Sequence, residues 1–243
     1  MAYTLNQSIL WAQSILGSYI PLTAQTGNEP ATTIANMVVG LMLNPPFTWP
    51  TNRAENTGTS TVAGTQDYTI TAADFGFLET VTLTDANAKF YSVPRIYNSM
   101  NLAKTSQQEA RPQSACVKTL TPGTGLSLRF VGCPDAIYAI TLGYQKAPVL
   151  FTATSQDWFT QCNVPQQQQH IYNNLFVSEC FQTNGDEQSA MVYRRRGMAG
   201  LLATAEGLTE MQKSLIFGQA MFSDLQTLAA QLRTQSAGQA RAV

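Results

Sequence analysis

Residues 125–144, GLSLRFVGCPDAIYAITLGY, alternate apolar and polar side chains on both sides of a Pro-Asp pair. The alternating residues are three before the pair and four after it: Leu126, Leu128, Phe130, Tyr138, Ile140, Leu142 and Tyr144. A period of two is typical of strands with one buried face, and Pro134–Asp135 favours a turn between them. The stretch therefore predicts two successive strands of an antiparallel β unit.

The same signals recur across a zone from about residue 59 to residue 152. Tyr68, Ile70 and Ala72 alternate with polar residues, and strand-like runs follow at residues 79–83, 89–97 and 114–120. Turn residues separate these runs. Short strands at this spacing predict a small sandwich or an open barrel.

Helical patterns lie on both sides of the β zone. We expect Asn6 to cap a first helix and Asn28 to cap a second one, with Pro30 in its first turn. Pro45–Pro46 should end the second helix, because a residue before proline avoids the helical conformation. Helical spacing of apolar residues resumes near residue 165 and continues to Leu232, before a small, polar tail from Gln235 to Val243.

These zones predict an α+β fold. Two N-terminal helices and the C-terminal helices form a bundle, and an antiparallel β-sandwich or barrel unit is inserted between them. We expect residues 1–47 and 160–207 to form the bundle domain and residues 48–159 to form the inserted β domain. Residues 208–243 would add a C-terminal helix and a flexible docking tail.

The final helix carries the most informative pattern. Thr209 and Gln212 have the spacing of a capping box. Apolar or small residues then follow in steps of four and three, as in a heptad seam that Leu208 extends backwards: Met211, Leu215, Gly218, Phe222, Leu225, Ala229 and Leu232. A plain core helix of the bundle is one interpretation. The other is a partner interface at Leu215, Phe222, Leu225 and Leu232, because an exposed apolar stripe usually marks an interaction site.

Charge is sparse and nearly balanced in this chain. Of its 243 residues 44% are hydrophobic and 12% are charged, with a formal net charge of −1. This composition excludes a disordered chain and a nucleic-acid binder that acts through bulk positive charge. The only dense cluster is Arg194, Arg195 and Arg196, which fan around a helix. They form either a solvated face or an electrostatic contact with phosphate in a DNA lumen or with a neighbouring subunit.

Gly197 and Gly200 directly follow the arginines. Because glycine has no side chain, they would let another helix or another chain approach closely.

No catalytic signature is present, and we expect a protein that is not an enzyme and needs no cofactor. His170 is the only histidine, and we interpret it as a surface or helix-cap residue rather than a base. Asp67, Asp74 and Glu79 form a carboxylate cluster that a glycosidase would need at a set separation. We interpret Asp67 and Asp74 as turn residues instead.

The cysteines and the hydropathy pattern bear on the compartment. Cys116, Cys133, Cys162 and Cys180 lack the spacing of a zinc site, so we expect buried, reduced thiols and no bound metal. We expect no signal peptide and no membrane span, since the longest apolar stretch, residues 31–43, is too short to cross a bilayer.

Four stretches carry a resemblance to a known family. Ser8–Gly17 is a first helix that ends at a glycine, and Asn44–Pro50 places aromatic residues after the second helix. Asp135–Pro148 matches a last strand, and Ile171–Phe176 matches a helix that returns from the β unit. In these features, and in the order of its elements over most of residues 6–206, the chain resembles the head-to-tail adaptors of short-tailed bacteriophages, of the tail tubular protein A type.

The resemblance implies a dodecameric, ring-shaped virion protein between the portal and the tail, assembled in the bacterial host cytoplasm. The helical part would contact the portal protein, and the β part would contact the tail nozzle, tail fibre proteins or neighbouring copies. Genomic DNA would pass non-specifically through the lumen during ejection. Residues 208–243 extend beyond the short members of the family, and they would become ordered on docking to the portal.

Three other interpretations stay open at this point. The chain could be another tail component, such as a tail tube or fibre-anchoring protein, although its helices are unusual for a tube subunit. It could be a carbohydrate-active enzyme with a β-sandwich. It could also be a monomeric binding module of the cytoplasm.

Overall fold

The computed structural model describes residues 3–17, 30–95, 109–158 and 163–221. The chain divides into two compact units, Met1–Thr51 with Pro148–Val243 and Asn52–Ala147. The first contains helices and is called the helical unit below, and the second contains strands and is called the β unit. The predicted α+β class is confirmed, because helices and antiparallel strands occupy separate units.

The β unit has seven strands within the described residues. They are β1 Arg53–Ser60, β2 Asp67–Thr71, β3 Phe75–Thr84, β4 Phe90–Val93, β5 Ser114–Thr121, β6 Gly125–Val131 and β7 Ala139–Lys146. One sheet has the order β1-β7-β3-β4, and the other has the order β2-β6-β5. All pairings between these strands are antiparallel.

Both sheets turn one face towards a single shared core, as in a sandwich. The alternation predicted for residues 125–144 is confirmed, since the alternating apolar side chains of β6, of β7 and of the residue just before β7 are all buried, with Arg129 of β6 buried between two of them. The buried residues are Leu126, Leu128, Phe130, Tyr138, Ile140, Leu142 and Tyr144. Ile70 of β2 and Leu83 of β3 join the same core.

The sequence signals do not predict β1. Its eight residues, RAENTGTS, show no apolar alternation, and none of them is buried. β1 lies at the edge of its sheet and pairs only with β7 among the described strands. Backbone pairing rather than burial therefore holds this strand in place.

Asn52 joins the two ends of the β unit. Its side chain is buried, and its Nδ2 donates a hydrogen bond to the carbonyl oxygen of Lys146 at 2.9 Å. Arg53 then lies opposite Gln145 in the first pair of the ladder. The chain thus enters and leaves the β unit at neighbouring points.

The helical unit contains five α-helices within the described residues. They are α1 Leu5–Leu16, α2 Pro30–Leu43, α3 Gln169–Thr183, α4 Glu187–Thr204 and α5, residues 210–221. α3 is central and buries the apolar face that its sequence predicts, including Tyr172 and Phe176. Tyr172 also contacts the fully buried ring of Trp158.

Caps account for where several helices begin. α1 begins at Leu5 rather than after Asn6, because the backbone N–H of Thr4 donates to Oε1 of Gln7 at 2.9 Å. The predicted cap at Asn6 is therefore wrong. The predicted cap at Asn28 lies outside the described residues.

The capping box predicted for the last helix is confirmed. The N–H of Thr209 donates to Oε1 of Gln212 at 2.9 Å, and the N–H of Gln212 donates to Oγ1 of Thr209 at 3.3 Å. The reciprocal bonds satisfy two donors that the first helical turn leaves unpaired. The start of α5 is thereby set by local sequence.

Candidate functional site

α5 has two apolar faces on different sides. One face packs against the core of the helical unit through half-buried side chains of Ile216, Phe217, Ala220 and Met221. Leu208, before the helix, packs inward as well, so it does not extend the outward seam as the sequence indicates. The sequence pattern identified one apolar stripe on this helix and missed the face that anchors it.

The described part of the predicted seam points away from the helical core. Met211 is 85% exposed and Leu215 is 61% exposed, and Gly218 is exposed between them and the end of α5. Phe222, Leu225 and Leu232, the other predicted interface residues, lie outside the described residues. We call the described part of this stripe, formed by Met211, Leu215 and Gly218, the seam face.

A second apolar surface lies elsewhere on the helical unit, and we call it the α2–α4 groove. It encloses about 300 Å³ and is lined by Met37, Val38, Leu41, Glu179, Arg194, Met198 and Ala220. Val38 and Met198 are buried and form its floor, whereas Met37 and Leu41 are 58% and 40% exposed. Large aliphatic side chains are thus presented to solvent one helical turn apart on α2.

The three arginines of α4 have different surroundings. Arg194 is mostly buried, and its Nη2 donates to Oε1 of Glu179 at 2.7 Å and to the side chain of Gln182 at 2.5 Å. Arg196 is exposed and lies over the ring of Tyr193, 5.6 Å from its centroid. Arg195 is exposed. The predicted fan is therefore present, and one member, Arg194, is already held in an ion pair within the chain.

The β unit has an exposed apolar end, formed by Val62, Phe90 and Ile137. Phe90 lies opposite Thr84, and Thr84 lies opposite Ala139, which follows Ile137 by two residues. Val62 follows β1 at the same end of this sheet. These side chains were not singled out by the sequence patterns, because isolated apolar residues near turns carry no periodicity.

Asp67 is an ion-pair residue and not a turn residue as the sequence suggests. It begins β2 and accepts hydrogen bonds from Nε of the buried Arg129 at 2.5 Å and from Nζ of Lys118 at 2.7 Å. The hydrogen bond from Arg129, together with Lys118, lowers the pKa of Asp67 to about 2. A glycosidase acid needs a raised pKa, so this carboxylate has the opposite electrostatic setting.

The other two carboxylates of the cluster hold separate structural partners. Asp74 lies in the turn before β3, as predicted, and accepts a hydrogen bond from the hydroxyl of Tyr144 at 2.7 Å. Glu79 lies on β3 and pairs with Nε of Arg53 at 2.8 Å. Asp67 and Glu79 belong to different sheets. Each carboxylate thus stabilises the sandwich at its own position.

The remaining candidates for chemistry are an exposed histidine and buried cysteines. His170 is exposed near the start of α3, and its Nδ1 lies 3.0 Å from the carbonyl oxygen of Gln167. Cys116, Cys133 and Cys180 are buried free thiols, and burial raises the pKa of Cys180 to about 12. Cys162 lies outside the described residues. Within the described ranges no group of His, Cys, Asp and Glu could hold a metal ion.

The comparison with protein families adds the decisive observation. The family model of the SU10 adaptor protein matches residues 35–234, which is most of the chain. The chain belongs to the SU10 adaptor family. This family confirms the resemblance to phage head-tail adaptors, and it identifies a structural protein of a bacteriophage virion. No curated protein matches the chain.

The matched region of this SU10 adaptor includes the surfaces described above. It begins within α2 before Met37, contains the β unit and the arginines of α4, and ends after the last seam residue, Leu232. The adaptor family implies interaction with portal and tail components. None of the adaptor's described helices is long and apolar enough to cross a membrane.

Proposed function

We propose that this adaptor forms a closed, dodecameric ring in the phage neck, which joins the portal to the tail and lines the DNA passage. The observation that carries the proposal is the seam face. A helix that is already anchored to its own core exposes a second apolar stripe, and such stripes usually serve an interface. Family membership supplies the setting in which that interface is used.

The low charge of the chain favours repeated association. A formal net charge of −1 gives little repulsion between copies, and few charged side chains must lose water when surfaces meet. Residues 208–243 supply the docking part, with Leu215, Phe222, Leu225 and Leu232 as its interface residues. The exposed apolar end of the β unit, at Phe90 and Ile137, supplies the contact with tail components.

The experiment that tests this function is removal of the protein from the phage. A nonsense mutation in its gene should yield heads and tails that do not join, and supply of the wild-type protein should restore joined virions. Cryo-electron microscopy of wild-type virions should show the adaptor as a ring between portal and tail. Joined, infectious particles that form without the protein would contradict the proposal.

Arg195 and Arg196 are the arginines that this function assigns to the DNA lumen or to a neighbouring subunit. Arg194 is left unchanged in the test, because its loss would disturb the ion pair with Glu179. Virions with Arg195→Gln and Arg196→Gln should retain less packaged DNA on dilution into low salt. The variant with lysine at both positions keeps the charge and should retain DNA normally. Equal retention by all three would leave these side chains as a solvated face.

The runner-up is another tail component, such as a fibre-anchoring protein. The same micrographs separate the two, because that component would lie away from the portal. The carbohydrate-active alternative has little support in the described part of the chain, where Asp67, Asp74 and Glu79 each hold a structural partner.

A further inference from the structure

We infer that the seam face of one copy binds in the α2–α4 groove of a second copy of this chain, and that this contact joins neighbours in the ring. The inference rests on the proposed function and deepens it by naming the two surfaces that meet. The other possible occupant of the seam face is the portal, and the experiments below separate the two.

The seam face cannot reach the groove of its own chain. Leu215 and Phe217 are two residues apart, so they point in directions about 200° apart around the helix. Phe217 packs against the helical core, and Leu215 is therefore held facing outward.

The α2–α4 groove is only partly closed by its own chain. Ala220 of α5 already forms one wall of the groove from within its own chain. The rest of the groove, at Met37 and Leu41, stays open to a helix from outside.

The groove has the chemistry that an apolar helix requires. Met37 and Leu41 are spaced by four residues, which matches one step of a heptad seam. Its floor of Val38 and Met198 is apolar. The one ion pair in its lining, Arg194 with Glu179, is satisfied within the chain, so covering it leaves no unpaired charge.

The seam face and the α2–α4 groove are different surfaces of the same chain, so a contact between them is heterologous. Repeated heterologous contact generates a closed ring when the rotation closes, whereas contact between identical surfaces stops at a dimer. Docking of the seam face on the portal would leave the exposed methionine and leucine of α2 uncovered in the assembly. A second copy would cover both surfaces at once, which favours it over the portal as the partner of the seam face.

The first experiment is cross-linking between two variants of the full chain, each of which carries one introduced, exposed cysteine. Leu215→Cys and Leu41→Cys are each prepared with Cys162→Ser, because the other three cysteines are buried. The two proteins are mixed, and a short bis-maleimide is added. We expect a covalent heterodimer that neither variant gives alone. The matched control, Leu10→Cys with Leu215→Cys, places the thiol at another exposed leucine of the helical unit and should give none.

The second experiment introduces complementary charges on the two surfaces. Its readout is self-association measured by native mass spectrometry. Leu215→Glu and Leu41→Arg should each weaken association at least tenfold, since each places an unpaired charge in an apolar contact. The chain that carries both changes should recover most of the lost association, because every contact then pairs glutamate with arginine. Leu10→Glu should leave association unchanged. Tryptophan fluorescence checks that each variant is folded.

The same cysteine variants, incorporated into virions, separate the possible failures. Absence of the Leu215–Leu41 product both in solution and in virions overturns the inference, and a Leu215–portal product in its place identifies the portal as the occupant. The proposed function fails separately if the protein is dispensable for joining heads to tails. A heterodimer formed by a dispensable protein would then leave the contact valid and the adaptor function wrong.

Discussion

Asp67 shows how one residue connects the two outer strands of its sheet. Its carboxylate on β2 pairs with Arg129 on β6 and Lys118 on β5. Arg129 is buried, so removal of Asp67 would leave a cation with little access to water. The main effect of losing Asp67 is therefore that Arg129 is left buried and without its carboxylate partner. The lost attraction between the two charges is the smaller contribution.

The pH dependence of stability follows from this pair. The pKa of Asp67 is about 2 in the folded protein, below its ordinary value of 3.8. The stabilisation is thus complete above about pH 5 and is lost progressively as the pH falls through the folded-state pKa near 2. Asp67→Asn should lower the free energy of unfolding at pH 7 by about 1–2 kcal/mol, less than the full pKa shift would give because Asp67 is partly exposed.

Urea unfolding followed by circular dichroism at several pH values measures this effect. The difference in free energy of unfolding between wild type and Asp67→Asn should shrink towards pH 2, because a protonated aspartate resembles asparagine. Asp74→Asn serves as a comparison, since Asp74 is half exposed at a turn. A difference that stays constant from pH 7 to pH 2 would show that charge is not its origin.

Gly197 permits the close approach of α3 and α4. A side chain placed there would have its Cβ 2.6 Å from Cγ of Leu175. The sequence left open whether another helix or another chain approaches here. At Gly197 it is a helix of the same chain, α3. Gly197→Val should lower the free energy of unfolding by about 1–3 kcal/mol through overpacking.

Gly218 is the matched control for this substitution. It is also helical, but a Cβ added there would meet no atom of a neighbouring element within 4 Å. Gly218→Ala should stabilise the helical unit by up to about 1 kcal/mol, because glycine is a poor helix former. Urea titrations followed by tryptophan fluorescence measure both changes. A stable Gly197→Val protein would mean that Leu175 can move aside at little cost.

At the scale of the element, α5 separates stability from association on its two faces. Phe217 packs on the helical core and Leu215 faces solvent. Phe217→Ala should lower the free energy of unfolding by about 1–2 kcal/mol, since it removes a half-buried aromatic side chain. Leu215→Ala should change it by less than about 0.5 kcal/mol.

Tryptophan fluorescence is a suitable probe because Trp11, Trp49 and Trp158, all the tryptophans of the chain, belong to the helical unit. The measurement should be made at a protein concentration low enough to suppress self-association. Equal losses of stability from Phe217→Ala and Leu215→Ala would contradict the two-faced description of α5.

At the scale of the whole molecule, the β unit should fold by itself. It has its own core, and Asn52 and Lys146 tie its two ends together. We expect the fragment of residues 52–147 to give a dispersed NMR spectrum and a cooperative thermal transition. Asn52→Ala should lower its melting temperature, because the buried hydrogen bond to Lys146 is lost. A fragment that remains unfolded would show that the helical unit is needed to complete the sandwich.

Features that depend on neighbours in the chain could be predicted from the amino-acid sequence alone. The alternation in residues 125–144 specified two strands, because only one side of each can be buried in that register. The capping box of Thr209 and Gln212 specified where α5 begins, because its bonds span a single turn. The order of helices and strands was sufficient for the fold class and for the resemblance to phage adaptors.

Features that depend on burial between distant residues required the folded chain. β1 carries no apolar pattern and exists through its pairing with β7, far along the chain. Arg194 is equivalent to Arg195 in the sequence, and only the fold places Glu179 of α3 beside it. α5 showed one apolar stripe in sequence, but its contacts with the core revealed a second face and left the first one outward. Burial is a property of the whole fold, and local sequence alone does not encode it.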